Sequence, residues 1–176
     1  MKISRHEKMQ KRRKLSLRLD SLNSMSVLKN LKQAAIYKFT KKKKFLIHSA
    51  SRTQGPSIAT PPFIWLEEDA ALQDVAREVL VALESSQNGL LAPSDVKSRS
   101  TDFLISVGLT KHSEFYKDCI RVGVILQDNL LSFIPMINYG KTGFTNLDPD
   151  RKITMVNNST LEEIALVLKE ALVLCE

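Results

Sequence analysis

Three histidines, two cysteines and two adjacent acid pairs are the groups in this chain best suited to acid–base, nucleophilic or metal chemistry. His6, His48 and His112 lie far apart, and none has a second His or Cys at the spacing by which a protein holds a metal. Cys119 leads into an alternating apolar strand with no base nearby, and Cys175 sits in an apolar helix end, so both read as buried, reduced thiols. Glu162 and Glu163 fall in the first turn of a helix, where they favour the helix dipole, while Glu67-Glu68-Asp69 forms a polar loop after a strand. The chain contains no G-x-S-x-G, no P-loop, no G-x-G-x-x-G and no H-E-x-x-H. The expectation is a protein without catalytic, cofactor or metal site, and not an enzyme.

Charge divides the 176 residues unevenly. Residues 1–52 carry 16 Lys/Arg against 2 acids, and residues 53–176 carry 10 against 17. A basic leader therefore precedes an acidic body, and nucleic-acid or lipid affinity, which basic proteins usually signal, can attach only to the first third. No apolar run reaches the ~18 residues of a membrane span, and no apolar segment of a secretory signal follows the basic N-terminus. These features point to a cytoplasmic chain with no membrane role. Residues 1–24 are expected to form a flexible leader or an upstream extension, and residues 25–176 a single domain.

The elements follow from hydrophobic periodicity. Ile153 and Met155 alternate with Lys152 and Thr154 as a short strand. Thr160 and Glu163 then have capping-box spacing, and Leu161, Ile164, Ala165, Leu168, Ala171 and Leu172 share one helical face. An earlier unit has the same form: the strand Phe63–Leu66, the Glu67–Asp69 loop, and a helical stripe from Leu72 to Leu83. Strands are expected at Ala34–Phe39 and Phe45–His48 around a Thr40–Lys44 turn, and at Ile120–Leu126 and Leu130–Ile137 around an Asp128-Asn129 turn, since both turn residues tolerate positive φ. Pro135 removes a backbone donor, which predicts an edge or a bulge. Ser49–Pro62 and Asn138–Asp150, rich in Gly and Pro, are expected as long loops. Between the halves, a helix through Phe103, Leu104 and Val107 should close at Gly108. The fold class is α+β: a single, mainly antiparallel sheet from two strand–strand–loop–strand–helix halves, about 34–84 and 115–175, with helices packed on it.

Several stretches, in this order, resemble the immunity proteins of bacterial contact-dependent growth inhibition systems: Ile36–Arg52, Trp65-Leu66 through Leu83, Phe115-Tyr116-x-x-Cys119, Ile134-Pro135, and Ile153–Leu172. The resemblance covers roughly residues 27–174, with Ala165 where the family usually has Gly. It implies a cytoplasmic protein that binds and neutralises the C-terminal toxin domain, often a nuclease, of a cognate surface effector encoded upstream. No catalytic residues carry over. An acidic body suits a nuclease's basic groove, so the toxin-binding candidates are the acids Glu67, Glu68, Asp69, Asp148 and Asp150. Tyr139 and Phe144 join them as aromatic anchors. The alternative is a small nucleic-acid-binding protein using Lys11–Lys14 and Lys41–Lys44. Oligomeric state is not legible.

Overall fold

A computed structural model describes residues 30–91, 96–140, 143–146 and 149–175. Strands β1 (Lys32–Phe39), β2 (Lys44–Ser51) and β3 (Ile58–Glu67) lead into helix α1 (Leu72–Glu84). Helices α2 (Val96–Ser106) and α3 (His112–Tyr116) follow, and then strands β4 (Cys119–Gln127), β5 (Leu130–Asn138) and β6 (Phe144–Asn146). After the 3-10 turn Pro149–Arg151, β7 (Ile153–Val156) and α4 (Leu161–Val173) complete the order. The described strands form one antiparallel sheet in the order β3-β2-β1-β4-β5-β6, with β7 also paired to β5. Lys32–Glu176 is one compact unit. The leader, residues 1–24, lies outside the described residues.

The two halves are arranged alike about the β1–β4 pair. Each runs outward through two antiparallel strands, then a third, then a helix. Helices α1 and α4 correspond end to end, both limits displaced by 89 residues. Val75, Ala76, Val79 and Ala82 are buried in α1, as are their counterparts Ile164, Ala165, Leu168 and Ala171 in α4. The helices pack on one sheet face over Ile36, Ile47, Val122, Val124, Leu131 and Phe133, all essentially without solvent contact. Burial on that scale is the main stabilising contribution to the fold. At the start of α4 the Thr160 hydroxyl accepts from the Glu163 amide at 3.3 Å, and the Glu163 carboxylate accepts from the Thr160 amide at 2.8 Å. The capping box thus forms as its spacing predicts.

The opposite, back face is covered over its first half. Leu104, Val107 and Leu109 pack on Ala35, Tyr37 and Leu46. Helix α2 ends in a Schellman turn: Gly108, at φ +70, donates to the Ile105 carbonyl at 3.0 Å, and Leu109 to that of Leu104 at 2.8 Å. That brings the buried pair Leu104 and Leu109 together, the hydrophobic contact that accompanies such caps.

Three expectations are corrected. The long loop Ser49–Pro62 contracts to residues 52–57, because β2 runs on to Ser51 and β3 starts at Ile58. Pro61 and Pro62 lie inside β3 at a register shift opposite the His48/Ser49 step, and an edge strand tolerates proline there. Pro135 does not mark an edge: β5 has β4 on one side and β6 and β7 on the other. Ile134 and Pro135 fall in the gap between the β7-paired residues (Leu130–Phe133) and the β6-paired ones (Met136–Asn138), so no outer strand pairs with Pro135. Asn138–Asp150 is interrupted by β6 pairing back to β5 and by the 3-10 turn. The Asp128-Asn129 turn holds, with φ +49 and +64.

Candidate protein-binding site

Strand register places most of the candidate residues at one end of the sheet. Glu67 pairs with Lys44, Lys44 with Phe39, and Phe39 with Cys119. The row continues to Asn138, whose amide donates to the Cys119 carbonyl at 2.6 Å, and to its partner Phe144. Five strand spacings separate Glu67 from Phe144, roughly 24 Å. Glu67, Glu68 and Asp69 therefore mark one corner, and Tyr139 and Phe144 the other, of a single end wide enough for an ordinary interface patch. Asp150 is not brought to that end; it is exposed in the 3-10 turn between β6 and β7. Asp148 lies outside the described residues.

The acids are partly engaged. Glu67 pairs with Lys44 at 2.9 Å and Glu68 with Lys38 at 2.8 Å, and the bond from Lys38 holds the Glu68 carboxyl below its ordinary range. Asp69 is exposed. On the edge strand β3 these charges also discourage pairing with another sheet. The turn lysines are similarly drawn in: Lys41 pairs with Asp118 at 2.8 Å, and Lys42 stands over the Phe39 ring. Tyr139 is 59% exposed. Phe144 is half-buried, its ring against Tyr37 and Tyr116, so part of that anchor faces inward.

Sequence reasoning missed a polar group inside the back face. Arg121 on β4 lies over the rings of Tyr37 and Phe144, 5.3 and 5.7 Å from their centroids. Such stacking favours a guanidinium. Its Nε is fully buried and has no hydrogen-bond partner. Nearby His48 is buried among Tyr37, Phe63 and Phe103. Its Nδ1 lies 2.7 Å from the Ser49 carbonyl, which can only accept, so Nδ1 carries the hydrogen and Nε2 is left bare. Burial lowers the His48 pKa to about 4, with Arg121 adding repulsion, and burial raises Tyr37 and Cys119 to about 12 each. These groups are locked in their neutral forms at pH 7, the opposite of a poised acid, base or nucleophile. The available signal was Arg121 itself, the one charge in the run from Cys119 to Leu126.

No protein-family model matches the sequence, and no curated protein matches it. Solved structures do match its fold. A Neisseria meningitidis protein of unknown function superposes with a TM-score of 0.70 at 20% identity, over 84% of this chain and 97% of that one. A chain of the CdiA-CT/CdiI toxin and immunity complex from Yersinia pseudotuberculosis superposes with a TM-score of 0.68 at 14% identity, over 83% and 98%. The chain shares their fold. The likeness extends over nearly the full length of the two solved chains. No helix among the described residues is long and apolar enough to cross a membrane.

Proposed function

We propose that this chain is a cytoplasmic immunity protein that binds and neutralises the C-terminal toxin domain of a contact-dependent growth inhibition effector. The likeness to a chain of a toxin and immunity complex, over 83% of this chain and 98% of that one, carries this reading. Two features of the chain support it. The ionisable groups buried in its interior are held in inert forms, which suits an inhibitor that acts by contact. Its sheet end carries Glu67–Asp69, with Glu67 and Glu68 paired to Lys44 and Lys38 and Asp69 exposed, and the aromatic Tyr139/Phe144 at the other corner, with Asp148 and Asp150 further along the chain. The acids suit a toxin that binds phosphates, and a nuclease is therefore the toxin class proposed.

The alternative nucleic-acid reading draws less support. Lys38, Lys41 and Lys44 pair with Glu68, Asp118 and Glu67 within the fold, which weakens the lysine patch and the acidic corner alike, and no likeness to a nucleic-acid-binding structure stands beside it. Co-expression is the test. Cells producing the cognate toxin domain, which this reading places in the gene upstream, should grow when the chain is present and arrest when it is absent. Arrest in both cases would remove the reading.

A further inference from the structure

One side chain ties the aromatic corner of the sheet end together. Asn138 closes β5, and its side-chain amide makes three hydrogen bonds. Nδ2 donates to the Tyr116 carbonyl at 2.8 Å and to the Cys119 carbonyl at 2.6 Å. Oδ1 accepts from the Gly140 amide at 2.8 Å. Two carbonyls on one side and an N–H on the other fix which end of the group is nitrogen, and both of its donors are used. The partners come from separate places: the end of α3, the start of β4, and the turn that follows Asn138 itself. Tyr116, whose carbonyl is held, also packs its ring on Phe144, the register partner of Asn138.

The turn beyond is closed around Tyr139. The Tyr139 amide donates to the Gly143 carbonyl at 2.9 Å, and the Gly143 amide to the Gly140 carbonyl at 3.0 Å. Both glycines take positive φ, +63 and +94, which a side chain would resist. Tyr139 therefore has its backbone held from both sides, by the Asn138 amide and by the Gly143 carbonyl, while its side chain is 59% exposed. The other aromatic candidate, Phe144, turns part of its ring inward. A tyrosine offers a large amphipathic contact at a low cost in side-chain freedom. A backbone ordered beforehand removes a further cost that a loose turn would meet on association.

We propose that Asn138 is a positioning residue for toxin binding, presetting the turn that presents Tyr139 as the anchor. The inference rests on the toxin-binding reading and deepens it. It makes the aromatic corner the preformed part of the sheet end, and it assigns a role to a residue that acts through another side chain.

The experiment is a double-mutant cycle, read by calorimetric titration of the full chain with the cognate toxin domain. Tyr139→Ala should weaken binding roughly thirty-fold or more, the range of a hot-spot residue. Asn138→Ala should weaken it about ten-fold, the order set by one residue's backbone freedom. Added to Tyr139→Ala, the Asn138 substitution should cost almost nothing more, because effects that run through one side chain do not add. The same ten-fold loss in both backgrounds would make Asn138 merely structural and overturn the inference, as would parent-like affinity in Asn138→Ala. Asn138→Asp, which keeps the size and the Gly140 acceptor but gives up both donors, takes its place in the cycle if Asn138→Ala does not fold. Amide exchange on the free chain is the second readout. The Tyr139 and Gly143 amides should be protected in the parent and exchange at least about ten-fold faster in Asn138→Ala, with the Ile36 amide at the sheet centre unchanged. Unprotected Tyr139 and Gly143 amides in the parent would overturn the inference whatever the toxin does. A parent that keeps this protection but does not bind the toxin domain would remove the toxin-binding reading, and this role of Asn138 with it.

Discussion

Protonation of His48 offers the sharpest test of the packing described above. Its ring lies among Tyr37, Phe63 and Phe103 with Nε2 unpartnered, and its pKa falls from the ordinary 6.5 to about 4. At ~1.36 kcal/mol per pKa unit, protonating the folded protein costs roughly 3 kcal/mol more than protonating the unfolded chain. Above pH 6.5 the ring is neutral in both states and its contribution to stability is complete. As the pH falls the unfolded chain takes up the proton first, so stability declines between pH 6.5 and about 4 and levels off below. Roughly 2–3 kcal/mol should be gone by pH 4.5, a large share of the 5–15 kcal/mol typical of a domain. Urea unfolding at pH 7.5 and 4.5 measures the loss. His48→Phe, which keeps an aromatic ring in the cluster and cannot protonate, supplies the background from other groups. The parent should lose roughly 2–3 kcal/mol more than the variant over that interval. Equal losses, or a His48 ring resonance titrating near pH 6.5, would refute the packing argument.

Three further outcomes follow from the same structure. Thr160→Ala removes one side of the capping box and should destabilise by about 1 kcal/mol in urea unfolding. Leu168→Ala empties a fully buried position on α4 and should cost about 2–5 kcal/mol by the same assay. Both thiols are raised by burial, Cys119 to about 12, so a disulfide reagent at pH 8 should leave the native protein unmodified. It should label two thiols once urea unfolds the chain.

Local chemistry made some of this fold legible. The capped helix α4 and the Asp128-Asn129 turn depend on residues close in sequence, so spacing and φ preference were enough to place them. The correspondence of α1 with α4 was visible because the same helical positions are apolar in both. The errors came where neighbours across the sheet decide. Pro61 and Pro62 read as loop residues until β3 is known to be an edge, and Pro135 read as an edge residue until β6 and β7 are known to leave a gap beside it. Of the candidate site, the acids and aromatics at the sheet end were nameable by residue type. The Arg121 stack was not, because Tyr37 and Phe144 reach it from strands distant in the chain.

Titrating the toxin domain's own activity with this chain tests the central claim most directly, that protection comes from occupancy rather than reaction. Activity should fall linearly with added chain and vanish at one equivalent, however long the incubation. Progressive inactivation by a small fraction of an equivalent, or full activity in the presence of excess chain, would contradict it.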